Sequence, residues 1–221
     1  MDWEKIAPHP SNILIAGDVG TGKTALAGTY VEYGKKKGCK LFSVGRDFPY
    51  CRSVDQSFIP PKNSIVLVDD AHLTGLYAHE HIGKAKKIYD FMQRQKRHRN
   101  HSIVYTTQDT TGFTLRLIRL LDAICLFQPS MMAIEYERPK IKTRYTKAKQ
   151  ALAPYAGKFG YVWIQHQDRK THEIHEEVHQ FKLPSFWSDD VSIPKSKKDL
   201  AIKPGVTSVL KAVREVGRLF G

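Results

Sequence analysis

Residues 17–24 read Gly-Asp-Val-Gly-Thr-Gly-Lys-Thr, between the apolar run Ile13-Leu14-Ile15-Ala16 and a helix-favouring stretch that opens with Ala25-Leu26-Ala27. This arrangement dictates a strand, a glycine turn and a helix in immediate succession. The pattern of Gly, four residues and Gly-Lys-Ser/Thr is the P-loop. Its glycines accept positive φ and let backbone N–H groups converge on a phosphate, while the helix directs the positive end of its dipole at the same anion. Gly17, Asp18, Val19, Gly20, Thr21, Gly22, Lys23 and Thr24 therefore form the candidate nucleotide cradle. Lys23 is expected to reach the outer phosphates, and the Thr24 hydroxyl to ligate Mg²⁺.

A chain of 221 residues with 41% hydrophobic content can bury one sizeable core. The 35 Lys and Arg against 22 Asp and Glu give a formal charge of +13, which calls for an anionic partner larger than a nucleotide. Cys39, Cys51 and Cys125 show no paired spacing and read as reduced thiols of an intracellular protein, with Cys39 and Cys125 in apolar runs resembling core strands. Acidic Asp2 and Glu4 near the N-terminus, and the lack of a long apolar run, indicate neither a signal peptide nor a transmembrane helix. A soluble, at most peripheral, protein is expected.

Residues 1–11 read as a lead-in, with Trp3 packing on the domain edge. The P-loop helix is expected over 24–33, fraying in the glycine- and lysine-rich segment 34–38. A strand over 40–44 follows, then a long proline-containing connection over 45–63. The run Ser64-Ile65-Val66-Leu67-Val68 is a buried parallel strand by composition and ends in Asp69-Asp70. In a P-loop protein this is the Walker B element: Asp69 holds the Mg²⁺ hydration shell, and Asp70 stands where a base could orient water. A strongly basic helix is expected over 77–99, and a third apolar strand over 101–107, with Gln108 at its end.

A helix over 113–121 and a core strand over 122–127 come next, then a basic helix-rich piece over 140–158 and strands over 161–166 and 171–181. His172, His175 and His179 fit a polar edge strand better than a zinc site, because residues 172 and 175 of a strand face opposite sides. The segment 194–198 reads as a hinge, and 206–220 as an amphipathic helix carrying Lys211, Arg214 and Arg218. The expected organisation is an ATPase domain over 1–187, with core 12–128 and extension 129–187, followed by a basic hinge and C-terminal helix over 188–221.

The order of P-loop, Walker B with two acids, basic helix, strand ending in Thr107-Gln108, helix and strand ending in Phe127 resembles the FtsK-HerA superfamily of DNA-pumping ATPases, particularly its viral genome-packaging branch. The resemblance covers about residues 12–128. It implies an α/β P-loop NTPase of RecA/FtsK-like ASCE type, with a central mostly parallel sheet flanked by helices and a small C-terminal extension. It also implies catalytic roles for Lys23, Asp69, Asp70 and Gln108, and ATP and Mg²⁺ as cofactors, the metal on Thr24 and Asp69. Members carry an arginine eleven positions before the glutamine that acts on a neighbouring subunit, and here that position is Arg97. Arg99, Arg116 and Arg119 are rivals for that role. Where many relatives have Asp-Glu, this chain has Asp69-Asp70, one methylene shorter.

The function implied is ATP-driven translocation of double-stranded DNA into a preformed viral capsid. It implies a homo-oligomeric ring, a pentamer or hexamer, meeting capsid vertex proteins in the host cytoplasm or virion. Two alternatives stand beside it: a small P-loop phosphotransferase, which has no need of a strand ending in Gln108, and a nucleotide-dependent assembly or secretion factor gripping a membrane through 206–220.

Overall fold

The structure is a computed structural model that describes residues 1–55, 58–71, 96–111, 113 and 115–188. The basic segment 77–95, the hinge and the C-terminal amphipathic segment lie outside the described residues. Residues Met1–Trp187 form one compact unit, to which this description refers.

An eight-stranded sheet organises that unit. Its strands are β1 (Asn12–Ala16), β2 (Lys40–Val44), β3 (Arg52–Ser53), β4 (Ser64–Val68), β5 (His101–Thr107), β6 (Ala123–Leu126), β7 (Tyr161–Gln167) and β8 (Ile174–Gln180), in the order β3-β2-β4-β5-β1-β6-β7-β8. The six strands from β3 to β6 are parallel, and β7 and β8 add an antiparallel hairpin beyond β6. Every residue of β1, β4, β5 and β6 is buried, so both faces of these strands are covered, and their apolar runs are continuous in Ile13 to Ala16, Ile65 to Val68 and Ala123 to Leu126, whereas β5 also buries the polar His101, Ser102, Thr106 and Thr107.

Helix α1 (Trp3–Ile6) precedes the sheet, and α2 (Lys23–Lys36) follows the P-loop. The short α3 (Lys96–Arg99) and α4 (Leu115–Arg119) lead into β5 and β6, and α5 (Met131–Glu135) and α6 (Pro139–Leu152) connect β6 to the hairpin. The sheet faces divide by strand alternation. Leu14, Ala16, Val66, Val68, Ile103 and Tyr105 form one cluster with Ile141, Tyr145, Ala148 and Leu152 of α6. On α2, Tyr30 shares a hydrogen bond with the buried Ser102 of β5, and a Cβ on Gly34 would meet Ile65 of β4.

Several local expectations need correction. Residues 1–11 are more than a lead-in: Asp2 caps a single helical turn by accepting from the Glu4 N–H, and Trp3 is buried edge-on against Tyr30, with its indole N–H donating to Thr29. The connection after β2 contains β3, a two-residue parallel addition to the sheet. Cys39 is only half-buried and precedes β2, whereas Cys125 is fully buried in β6, and all three cysteines are free thiols. His172 is not on a strand. It lies in the turn before β8 with φ 62°, where the Asp168 carboxylate accepts from the N–H groups of Lys170 and Thr171 and delays the strand to residue 174. The edge strand β8 is largely exposed and polar, as a sheet edge should be.

Candidate nucleotide site

Strand order brings the site together. Because β5 lies between the P-loop strand β1 and the Walker B strand β4, and all three run parallel, their C-terminal ends emerge side by side. Register places Ala16 beside Thr107 and Val68 beside Tyr105. Gly17 donates its N–H to the Thr107 carbonyl at 3.3 Å, so Gln108 leaves β5 next to the first residue of the P-loop. Gln108 is exposed at this rim.

The loop itself turns at Gly20 and Gly22, with φ of 76° and 98°, both in the region that favours glycine. Thr21 donates its N–H and its hydroxyl to the Asp18 carbonyl, at 3.4 and 2.8 Å. Gly22 caps α2 without a side-chain hydrogen bond, leaving the first-turn N–H groups of a 14-residue helix to meet an anion. Lys23 is only 6% exposed and donates from Nζ to the Asp18 carbonyl at 2.8 Å. Burial lowers its pKa, opposed by the charges of Asp70, Asp69 and Asp18.

Asp69, 1% exposed, is the most constrained acid. Its Oδ1 accepts from the Thr106 hydroxyl at 2.6 Å and the Thr24 hydroxyl at 3.3 Å, while Oδ2 faces Arg46 Nη1 at 3.3 Å. Burial raises its pKa, and the Thr106 hydrogen bond and the Arg46 charge act the other way. Thr106 also accepts from the Asp70 N–H at 2.9 Å, so one hydroxyl fixes both acids. Asp70 is half-buried, with φ 46°. The Thr24 hydroxyl and Asp69 carboxylate are adjacent hard oxygen donors, one anionic, and this donor set fits a magnesium ion.

Lys23, Thr24, Asp69, Asp70 and Gln108 are thus gathered at one end of the sheet. Arg97 is not among them. It is exposed on α3, at the start of β5, whose seven residues span about 20 Å from the end bearing Gln108. Its rivals stand differently: Arg99 donates to the Pro60 carbonyl at 3.3 Å, Arg119 is exposed on α4, and the Arg116 side chain lies outside the described residues. Beside Arg97, Lys96 pairs with Asp122 at 2.5 Å, and Asp122 in turn accepts from the Asn12 N–H.

Sequence reasoning missed three contributors. Thr106 lies one residue beyond Tyr105, the register partner of Val68, which puts its hydroxyl beside Asp69, and only that pairing marks it. Arg46 lies two residues beyond β2 in the proline-containing connection, where no local pattern marks it. The P-loop is backed from the core and from the extension: a Cβ on Gly17 would meet Phe127 Cβ at 2.8 Å, and one on Gly22 would meet Phe159 at 3.2 Å and Phe181 at 3.4 Å, both in the extension.

Residues 2–138 match the family described as nSTAND3, Novel STAND NTPase 3. The chain belongs to this family. The match ends just before α6, so the hairpin residues that back the P-loop of this STAND NTPase lie beyond it. No curated protein matches the sequence. Among solved structures, the chain is similar to the genome packaging NTPase B204 from Sulfolobus turreted icosahedral virus 2 in complex with sulfate, at 13% identity and a TM-score of 0.53, covering 79% of this chain and 98% of that one. The same protein in complex with ATP-gammaS matches at 12% identity and 0.51, over 77% and 97%. EssC ATPases 2 and 3 from Geobacillus thermodenitrificans match at 12% and 0.54, over 82% of this chain and 42% of that one. At such identities the likeness is one of fold, and the fold, an eight-stranded mostly parallel sheet with flanking helices, is that of P-loop ATPases, as the resemblance in the sequence implies. Among the described residues, no helix is long and apolar enough to cross a membrane.

Proposed function

We propose that this NTPase hydrolyses ATP to drive double-stranded DNA, packing a viral genome into a preformed capsid. The observation that carries this reading is β5: it separates the P-loop strand from the Walker B strand and delivers Gln108 to the rim beside Gly17. A simple phosphotransferase has no use for that strand. The formal charge of +13 supports a polyanionic partner, and the fold likeness to a packaging NTPase supports DNA as that partner.

In this mechanism the nucleotide phosphates lie on Gly17 to Thr24, and the first-turn N–H groups of α2 bind their oxygens. Lys23 exchanges the Asp18 carbonyl for the outer phosphates. Thr24 and Asp69 would hold Mg²⁺, which would offset the charge that develops on the phosphate oxygens. Thr106 keeps the Asp69 carboxylate aimed at the metal position, while Asp70 or Gln108 orients the attacking water. Arg97 completes the site of a neighbouring subunit, since within one chain it stands at the far end of β5, so the active form is a ring of five or six copies. Basic residues in 84–99 and 140–149 track the phosphate backbone without reading sequence.

The test is ATP hydrolysis with and without linear duplex DNA across a range of salt concentration. Duplex DNA should raise the rate, the stimulation should fall steeply with salt, and Lys23→Ala should reduce hydrolysis by about a hundredfold or more. Hydrolysis indifferent to duplex DNA at every salt concentration overturns the translocase reading.

A further inference from the structure

A cavity of about 280 Å³ opens directly beside the P-loop. Gly20 and Thr21 of the loop form one wall, and Phe127, Tyr155, Phe159 and Tyr161 supply aromatic surface around it. None of these four aromatic residues belongs to the phosphate or metal machinery. Phe159 is notable because it is 57% exposed, a large apolar ring presented on a turn whose preceding residues Ala156 to Lys158 are exposed as well. Its position is imposed by backbone: Gly157 and Gly160 flank Lys158-Phe159 with φ of 75° and 88°, and this turn brings the ring over Gly22. Phe181 supports it from behind, with ring centroids 5.8 Å apart, and Tyr155 and Tyr161 stack at 4.2 Å with 16° between planes.

Direction along the sheet says what the cavity is for. One neighbour of β1 is β5, which leads to Gln108 and, through β4, to Asp69; the hydrolytic end of a bound nucleotide therefore points that way. The other neighbour is β6, which leads to Phe127 and on to the hairpin. A nucleotide whose terminal phosphate faces β4 and β5 must extend its sugar and base toward β6 and β7, where the cavity lies. Its volume is near the lower limit of small-molecule sites, about 300 Å³, and suits a single flat ring system with water at its open side.

We infer that this aromatic cavity is the nucleobase subsite, and that it takes a purine ring laid against Phe159 and the Tyr155-Tyr161 pair. The inference rests on the P-loop reading and deepens it: the extension selects the base, while the core binds the phosphates. Aromatic stacking favours a bicyclic base over a monocyclic one, because the larger ring covers more aromatic surface. Phe159 and Phe181 also fill the space that a Cβ on Gly22 would enter, at 3.2 and 3.4 Å, so base occupancy and loop geometry meet at one place.

The experiment measures equilibrium binding of ATP, CTP and inorganic tripolyphosphate by calorimetry to the full-length protein and to Phe159→Ala, Tyr155→Ala and Phe159→Trp. Wild type should bind ATP more tightly than CTP. Phe159→Ala and Tyr155→Ala should weaken ATP by about tenfold and narrow the ATP-to-CTP gap, Tyr155→Ala, whose ring is not among the neighbours of Gly22, should leave tripolyphosphate within twofold, and Phe159→Trp should retain the wild-type preference. The subsite is overturned if both alanine variants bind ATP as wild type does, or if Tyr155→Ala loses ATP and tripolyphosphate by the same factor. Binding of neither ATP nor tripolyphosphate to wild type removes the phosphate site itself, and the base subsite with it, and so marks failure of the underlying reading.

Discussion

Asp69 shows what the site costs at the level of single residues. A carboxylate with 1% exposure is held by two hydroxyls and one guanidinium, and burial still raises its pKa. Between the ordinary carboxylate value of about 3.9 and the raised value, the folded state keeps a proton that the unfolded chain releases. Stability therefore falls as pH rises through that window, and the loss persists above it. Asp69→Asn removes the titration while keeping an oxygen for Thr106 and Thr24. In the absence of nucleotide and metal, the melting temperature of Asp69→Asn relative to wild type should rise from pH 4 toward pH 7; a difference constant over that range contradicts the account. The acid itself was legible, because an apolar run ending in two carboxylates after a P-loop has few other meanings. Thr106 and Arg46 were less so: each acts through register with a strand distant in sequence.

At the scale of elements, the limits of β2, β4 and β5 were legible to the residue, because each holds a short apolar run, Leu41-Phe42, Ile65 to Val68 and Ile103 to Tyr105, bounded by polar or turn-forming residues. Short elements escaped for physical reasons. A single turn such as α1 is too brief to show helical periodicity, and β3 exists only through its pairing with β2. The helix expected over 113–121 is five residues, Leu115–Arg119, because the chain before it is held elsewhere. Arg138, at the start of α6, donates to the carbonyls of Thr110 and Phe113, both at 2.7 Å, while the buried Glu137 accepts from the Thr110 hydroxyl. This clamp fixes the segment that follows Gln108. Arg138→Ala should lower the turnover number about tenfold with nucleotide affinity within twofold of wild type, measured by steady-state hydrolysis beside calorimetry; an equal loss of both would mean general disruption. Helix α2 carries a related constraint at Gly28, where a Cβ would stand 2.8 Å from Pro184 and 3.1 Å from Phe186. Gly28→Ala gains about 1 kcal/mol in helix propensity, yet the overpacking costs about 1–3 kcal/mol. Chemical denaturation should show no net stabilisation, and a gain near the full propensity value would contradict the packing.

On the scale of the whole molecule, the parallel core divides labour between the two ends of its strands. The C-terminal ends gather Lys23, Thr24, Asp69, Asp70 and Gln108, whereas Arg97 is carried at the opposite end of β5. Under the proposed ring Arg97 serves the site of a neighbouring subunit, so activity should be recoverable between defective subunits. Arg97→Ala and Lys23→Ala, each inactive alone, should regain hydrolysis when mixed; no recovery at any ratio points to another arginine. The contribution of the extension was the least legible part of the site, since nothing in residues 155–181 resembles a motif and its phenylalanines reach Gly22 only through the folded hairpin. The most direct measurement of the central claim is displacement of a short third strand annealed as a triplex on linear duplex DNA. Wild-type protein with ATP and Mg²⁺ should release that strand with time, and Lys23→Ala should not. Sustained ATP hydrolysis by wild type on the same DNA with the third strand left in place would contradict translocation.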